Sequence, residues 1–291
     1  MNIERTRNLK LFKNEMGQAN HFLITILVGL DGIKFGDVDI RDEFSTSWNP
    51  KSREQSVDRS RLFAIKSTLA WLVDNLDMYF TLTNQKPSVL QTKAYKDEID
   101  GCGRSVYKKY LVYTRVLGID TIEACFIDLL ICWRNRLTHF NAENTMIPEN
   151  RQKLLEESDH IESAFNGLLI KETLERFDNF GAPTFKEITS LIKASLNYIY
   201  LLDKYLIKCL NKTLFMNSIL LNYFLGSDNK VKRLNNVYSK TDKVKRNTIE
   251  NLLHYYGFNN EVDEEVDAMY ESVVSLTYAE ADSKLTDYSF A

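Results

Sequence analysis

The chain has 291 residues, 44% of them hydrophobic, with 26% charged and a net charge of −3. That length and apolar content suffice for a sizeable core, while 11 Gly and 4 Pro are too few for the many tight turns of an all-β protein, so long helices are expected. The slightly acidic balance excludes a globally basic nucleic-acid binder, and any nucleic-acid contact must come from a local basic patch.

Residues 3 to 30 read as a first helix, polar at its start and strongly apolar from Phe22 to Leu30, with Asp31-Gly32 as its end. That apolar run is far below the roughly 18 residues of a membrane span, and the N-terminal residues lack the pattern of a secretory signal. A cytoplasmic protein without a membrane segment is expected. His21 on this helix reads as a core or capping residue. Residues 31 to 57 are irregular, with Ile33 to Ile40 alternating as a short strand would. A helix follows from about Asp58 to Leu82, and Pro87 marks its connection to the next element.

Asp100-Gly-Cys-Gly103 predicts a turn, and Arg104 to Leu117 a Tyr-rich helix carrying Lys108, Lys109 and Arg115. Asp120-Thr-Ile-Glu123 has the spacing of a capping box for the helix that follows. In that helix apolar residues recur at Ile122, Phe126, Leu129, Leu130, Trp133, Leu137 and Phe140, and its last turns hold Arg134, Asn135, Arg136 and His139. Residues 150 to 176 read as one charged helix. Thr184-Phe-Lys-Glu187 is a second capping box, opening an apolar helix to about Phe224. Gly226-Ser-Asp-Asn229 then divides the chain into a bundle over 1–225, with its core at about 58–225, and a helical appendage over 226–291. The appendage starts with a basic block (Lys230, Lys232, Arg233, Lys240, Lys243, Lys245, Arg246) and continues with an acidic one from Glu261 to Asp282. Two such blocks pair as neighbouring helices, or the basic one meets an RNA backbone.

The four Cys, at 102, 125, 132 and 209, form no CxxC pair and read as reduced, buried thiols. His160 and His254 each have a Glu one turn back but no third ligand, so no metal site is expected. No Gly-rich phosphate loop and no GxSxG elbow occurs, and no cofactor is expected.

The segment Arg134-Asn135-Arg136-Leu137-Thr138-His139 resembles the Arg-(four to six residues)-His signature of the HEPN superfamily. The resemblance implies an all-α, antiparallel helical bundle, with extra N- and C-terminal helical segments in this chain. It also implies a metal-independent endoribonuclease whose site forms where two copies meet. The chemistry suits the residues. His has an ordinary pKa near 6.5 and can take or give the 2′-hydroxyl proton. Arg grips phosphate oxygens with a planar fork and keeps its charge. Asn135 lies four residues before His139, on the same helical face, and can orient the ring. Arg134 and His139 are about 140° apart on an ideal helix. One copy therefore addresses a phosphate awkwardly, and a homodimer would pool two sets.

By this resemblance Arg134, Asn135 and His139 are catalytic, and the products carry a 2′,3′-cyclic phosphate. Arg136, Lys108, Lys109, Lys230, Lys232, Arg233, Lys243, Lys245 and Arg246 are candidate RNA contacts. Large single-chain members act in anti-phage and abortive-infection systems, so an RNA-cleaving toxin or effector is expected, with room for a regulatory or antitoxin partner protein. Where members paired with a nucleotidyltransferase carry Tyr two residues after the His, this chain has Asn141, which counts against that partner. The rival reading is a non-catalytic HEPN-like binding or scaffold subunit. In it Arg134, Arg136 and His139 serve the helix dipole, worth roughly 0.3–1 kcal/mol each.

Overall fold

A computed structural model describes residues 1–38, 41–45, 50–138, 145–225 and 229–285. They form an all-α protein with one two-stranded sheet: β1 (Asn2–Ile3), α1 (Arg7–Phe35), α2 (Asp42–Ser45), α3 (Arg53–Asn84), α4 (Lys93–Gly101), α5 (Val106–Val116), α6 (Ile122–Thr138), α7 (Pro148–Glu156), α8 (Ser158–Ala164), α9 (Ile170–Asp178), α10 (Phe185–Lys208), α11 (Lys212–Leu225), α12 (Lys230–Tyr238), α13 (Asp242–Tyr256), β2 (Phe258–Asn259), α14 (Glu264–Val274) and α15 (Tyr278–Lys284). No helix among the described residues is long and apolar enough to cross a membrane.

The backbone divides into two compact units, each discontinuous in sequence. One is made of Met1–Leu11, Met78–Leu117 and the described residues from Tyr200 onward; the other of the described residues of Phe12–Asp77 and Gly118–Ile199. The first unit packs Tyr79, Phe80, Tyr110, Tyr113, Phe215, Phe224 and Leu253 into a core, with the Phe80 and Tyr113 rings stacked at 5.0 Å. Its N-terminal strand β1 pairs antiparallel with β2, Asn2 opposite Asn259 and Ile3 opposite Phe258. Thr6 is then held by a buried carboxylate. Asp203 of α10 accepts from the Thr6 N–H at 3.0 Å, from the Thr6 hydroxyl, and from the Tyr79 hydroxyl at 2.8 Å. Burial raises the Asp203 pKa above its ordinary value, against the Thr6 and Tyr79 hydrogen bonds, which lower it. Gly257 has φ +112°, and a Cβ there would lie 2.2 Å from the Arg5 carbonyl oxygen, so only glycine lets the β1 connection pass this close to the end of α13.

The basic and acidic blocks of the C-terminal region pair with each other. Arg246 of α13 forms a two-bond ion pair with Glu271 of α14, at 2.7 and 2.6 Å, and Lys230 of α12 meets Asp282 of α15 at 3.1 Å.

In the second unit α1 and α3 run antiparallel, tied by Arg61 to Asp31, by Lys34 to Glu54 at 3.1 Å, and by a Phe22–Trp71 edge contact at 6.0 Å. These ties carry α1 past the Asp31-Gly32 at which it was expected to end. It stops at Phe35, where Gly36 at φ +80° and the Asp37 N–H to the Gly32 carbonyl, 2.9 Å, close a Schellman-type cap. Ile33 to Phe35 are therefore helical rather than strand, and residues 39–40 lie outside the described residues. His21 is exposed, correcting its expected core or cap role. Of the cysteines, Cys125 and Cys132 are buried as expected, but Cys102 is half-buried and Cys209 exposed.

Three other expectations about helices change. Residues 93–101 form α4, which the sequence pattern did not announce. The single helix expected over 150–176 is three, broken at Glu157 and again where Asn166 (φ 55°) and Gly167 (φ 79°) turn the chain left-handed. The helix expected to reach Phe224 stops at Lys208, and Asn211 starts α11, its side-chain oxygen accepting from Leu214 N–H at 3.0 Å. Gln91 fixes this break: its amide donates to the Asn211 carbonyl at 3.0 Å and accepts from the Asn211 N–H at 2.7 Å.

Candidate functional site

The site the sequence points to is the end of α6. Thr121, not Asp120, caps this helix, its hydroxyl accepting from the Ala124 N–H at 3.4 Å, while the Asp120 carboxylate holds Lys153. From Ala124 to Trp133 every residue is buried, and from Arg134 the helix emerges: Arg134, Asn135, Arg136 and Leu137 are half-buried and Thr138 is exposed. The indole N–H of Trp133 donates to the Gly181 carbonyl at 2.8 Å, and its ring meets Phe177 edge-on at 5.9 Å. The helix thus delivers Arg134 and Asn135 to the rim of a packed interior on a rigid mount.

Two of the cations at this end differ in their surroundings. Arg136 donates to the Phe177 carbonyl at 3.1 Å, at the C-terminal end of α9, and lies over the rings of Phe177 (3.8 Å) and Phe180 (5.2 Å). It closes α9 and covers its aromatic residues, a structural role. Arg134 sits in the field of Asp74 and Asp77, one turn apart on α3. Burial lowers its pKa, and these two carboxylates act in the opposite sense. The Arg134 carbonyl accepts from the Thr138 hydroxyl at 2.7 Å. His139, the third member of the motif, and Asn141 lie outside the described residues.

The chain re-enters the described residues at Thr145, and here a buried acid does what the apolar pattern did not announce. Asp128 is fully buried in α6, and one of its oxygens accepts from the Ile147 N–H and the Asn150 amide, both at 2.9 Å. Its other oxygen receives the Cys132 thiol at 3.5 Å, and that thiol also approaches the Thr145 carbonyl at 3.6 Å. The chain from Thr145 to Asn150 is therefore fastened to α6. A carboxylate inside Phe126-Ile-Asp128-Leu-Leu is the signal that announces such an anchor. The pair Asp74 and Asp77 was likewise legible only as ordinary helix surface.

The remaining cations lie elsewhere. Lys108 and Lys109 belong to the first unit; Lys108 is exposed, whereas Lys109 is buried and donates to the Thr81 hydroxyl at 3.3 Å. In the same unit Lys230 and Arg246 hold carboxylates, Arg233 donates to the Tyr223 carbonyl and lies 4.7 Å over its ring, and Lys245 is buried against the Leu276 carbonyl at 3.3 Å. Lys232 and Lys243 are exposed.

No protein-family model, curated protein or solved structure matches this chain. Among the described residues no group of His, Cys, Asp and Glu is placed to hold a metal. Burial pushes the Cys125 thiol up to about 11 and the Cys132 thiol higher still, the Asp128 charge adding to the latter, so neither is a thiolate nucleophile.

Proposed function

We propose that the chain is a metal-independent endoribonuclease of the HEPN type, acting as a homodimer, in the role of a toxin or anti-phage effector. The observation that carries the reading is the mount: an Arg-Asn pair at the emerging end of a helix buried over ten residues, with Ile147 and Asn150, just beyond the motif, tied back to Asp128 of that helix. In this reading the His139 imidazole takes the 2′-hydroxyl proton. The 2′-oxygen attacks the adjacent phosphorus, the P–O5′ bond breaks, and the 5′-oxygen leaves with a proton from the second imidazole, giving a 2′,3′-cyclic phosphate and a 5′-hydroxyl. Arg134 holds the phosphate oxygens as charge builds on them, and Asn135 orients the imidazole.

A second reading has a specific observation in its favour. Asp74 and Asp77 compete with a phosphate for the Arg134 charge, as befits a HEPN-like scaffold or binding subunit in which Arg134 is a structural cation. The two separate in one experiment. Purified protein is incubated with total RNA in EDTA, wild type beside His139→Ala and Arg134→Gln, and product ends are tested for cyclic phosphate. Cleavage by wild type, with a loss of at least about a hundredfold in each folded, dimeric variant, fits the enzyme. Expression toxicity that wild type and both variants share equally, without cleavage, fits the scaffold.

A further inference from the structure

The first unit contains a small polar cavity, remote in sequence from the α6 motif. It has a volume of about 90 Å³ and is lined by Thr6, Arg7, Asn8, Gln85, Lys86 and Tyr256, among others. We propose that it is a binding site for a phosphate group.

Its floor is the first turn of α1. Of the amide groups there, Thr6 N–H is taken by Asp203, Leu9 N–H by the Thr6 hydroxyl at 3.2 Å, and Lys10 N–H by the Thr6 carbonyl at 3.3 Å. The N–H groups of Arg7 and Asn8 have no acceptor among the described residues, at the positive end of a 29-residue helix. A helix start alone would mean little. Here it coincides with a second feature: the Asn8 side chain, only 8% exposed, lines the cavity and makes no hydrogen bond to any described residue. A side-chain amide so placed can both donate to and accept from a molecule in the cavity.

The charges agree. The Arg7 guanidinium lies 4.3 Å over the Tyr255 ring and 5.7 Å from that of Tyr256, and its Nε–H is buried without an acceptor among the described residues. A guanidinium held against aromatic rings can offer its N–H groups to an oxyanion. Lys86 adds a second cation to the lining. The buried carboxylate of Asp203, which holds Thr6, is engaged by Thr6 and Tyr79. A volume of about 90 Å³ admits one tetrahedral oxyanion. The ligand is a phosphate group, free or at the end of a larger molecule.

The site stands whether or not the chain cuts RNA, and its test does not use cleavage. Full-length protein is titrated with inorganic phosphate at constant ionic strength, followed by calorimetry and by the amide resonances of Arg7 and Asn8. Saturable binding is expected with a Kd on the order of 1 mM. Arg7→Gln and Lys86→Gln should each weaken it roughly five- to tenfold. Asn8→Asp is the decisive variant, because a carboxylate in the first turn favours the helix yet places negative charge in the cavity. It should leave the fold intact and abolish binding. Absence of saturation below about 50 mM phosphate, or binding that Asn8→Asp leaves unchanged, overturns the proposal. A 5′-phosphorylated trinucleotide and its 5′-hydroxyl counterpart then identify the source. Tighter binding of the phosphorylated form than of inorganic phosphate assigns the site to a nucleic-acid end, and equal binding to a small free phosphate.

Discussion

Replacing Asp128 tests how residues 139–144 are flanked. In Asp128→Ala the Ile147 N–H and the Asn150 amide lose acceptors at 2.9 Å, and the Cys132 thiol loses a weaker one at 3.5 Å. A hydrogen bond to a charged group contributes roughly 1.5–3 kcal/mol, so two of them sum to about 3–6 kcal/mol. Removing the carboxylate also relieves its own burial, which offsets part of this. The net expectation is a loss of about 3–4 kcal/mol. Asp128→Asn keeps one oxygen for Ile147 but sets an amide N–H₂ among donors, and should cost about half as much. Urea unfolding followed by circular dichroism measures both, with m unchanged if the native structure is kept. Hydrogen exchange at the Ile147 amide localises the effect and should accelerate in both variants. A loss below about 1 kcal/mol in Asp128→Ala, or an Ile147 amide that exchanges as in wild type, would refute the anchoring argument.

Asp203 should leave a pH signature. Because its folded pKa is raised, the folded state binds more protons than the unfolded one between the ordinary value near 3.9 and the raised value. Its contribution to stability is thus fully present at low pH and declines as pH rises through that window. The stability difference between wild type and Asp203→Asn should shrink over the same interval and then level off, and a difference independent of pH would contradict the raised pKa. Gly257→Ala should cost at least about 2–3 kcal/mol, since the Cβ would meet the Arg5 carbonyl and the backbone is left-handed; a thermal melt unchanged by it would contradict the close approach. Arg136→Gln should lower stability by about 1–2 kcal/mol through the lost Phe177 contacts, with RNA cleavage in EDTA altered less than about threefold. Alkylation with iodoacetamide at pH 8, read by mass spectrometry, should modify Cys209 first and leave Cys125 and Cys132 protected in the folded protein.

How much of this was readable beforehand depended on the range of the forces involved. The all-α class and the rigid mount of Arg134 followed from the 3–4 spacing along α6, because helix burial is a local periodic property. The Thr184–Glu187 capping box was equally local, and both of its bonds are present, Thr184 N–H to Glu187 at 2.6 Å and Glu187 N–H to the Thr184 hydroxyl at 3.3 Å. Long-range partners set the rest. Arg61 holds Asp31 and Glu54 holds Lys34 onto α3 on either side of Gly32, where local propensity favours a stop. The break before α11 depends on Gln91, 120 residues away. The motif was legible in the sequence, but the electrostatics around Arg134 were not: only tertiary structure brings Asp74 and Asp77 to Arg134.

The pairing of β1 with β2 bears on how the chain is made. Residues 2–3 find their partners only at 258–259, and Thr6 waits for Asp203. At a synthesis rate of 5–20 residues per second, the start of α1 spends roughly 10–50 s without the groups that will hold it. During that interval Gly118–Ile199, which carries the α6 motif, is complete and already has its Phe12–Asp77 partners. The nascent chain therefore acquires its candidate catalytic helix well before the unit that contains its first eleven residues can close.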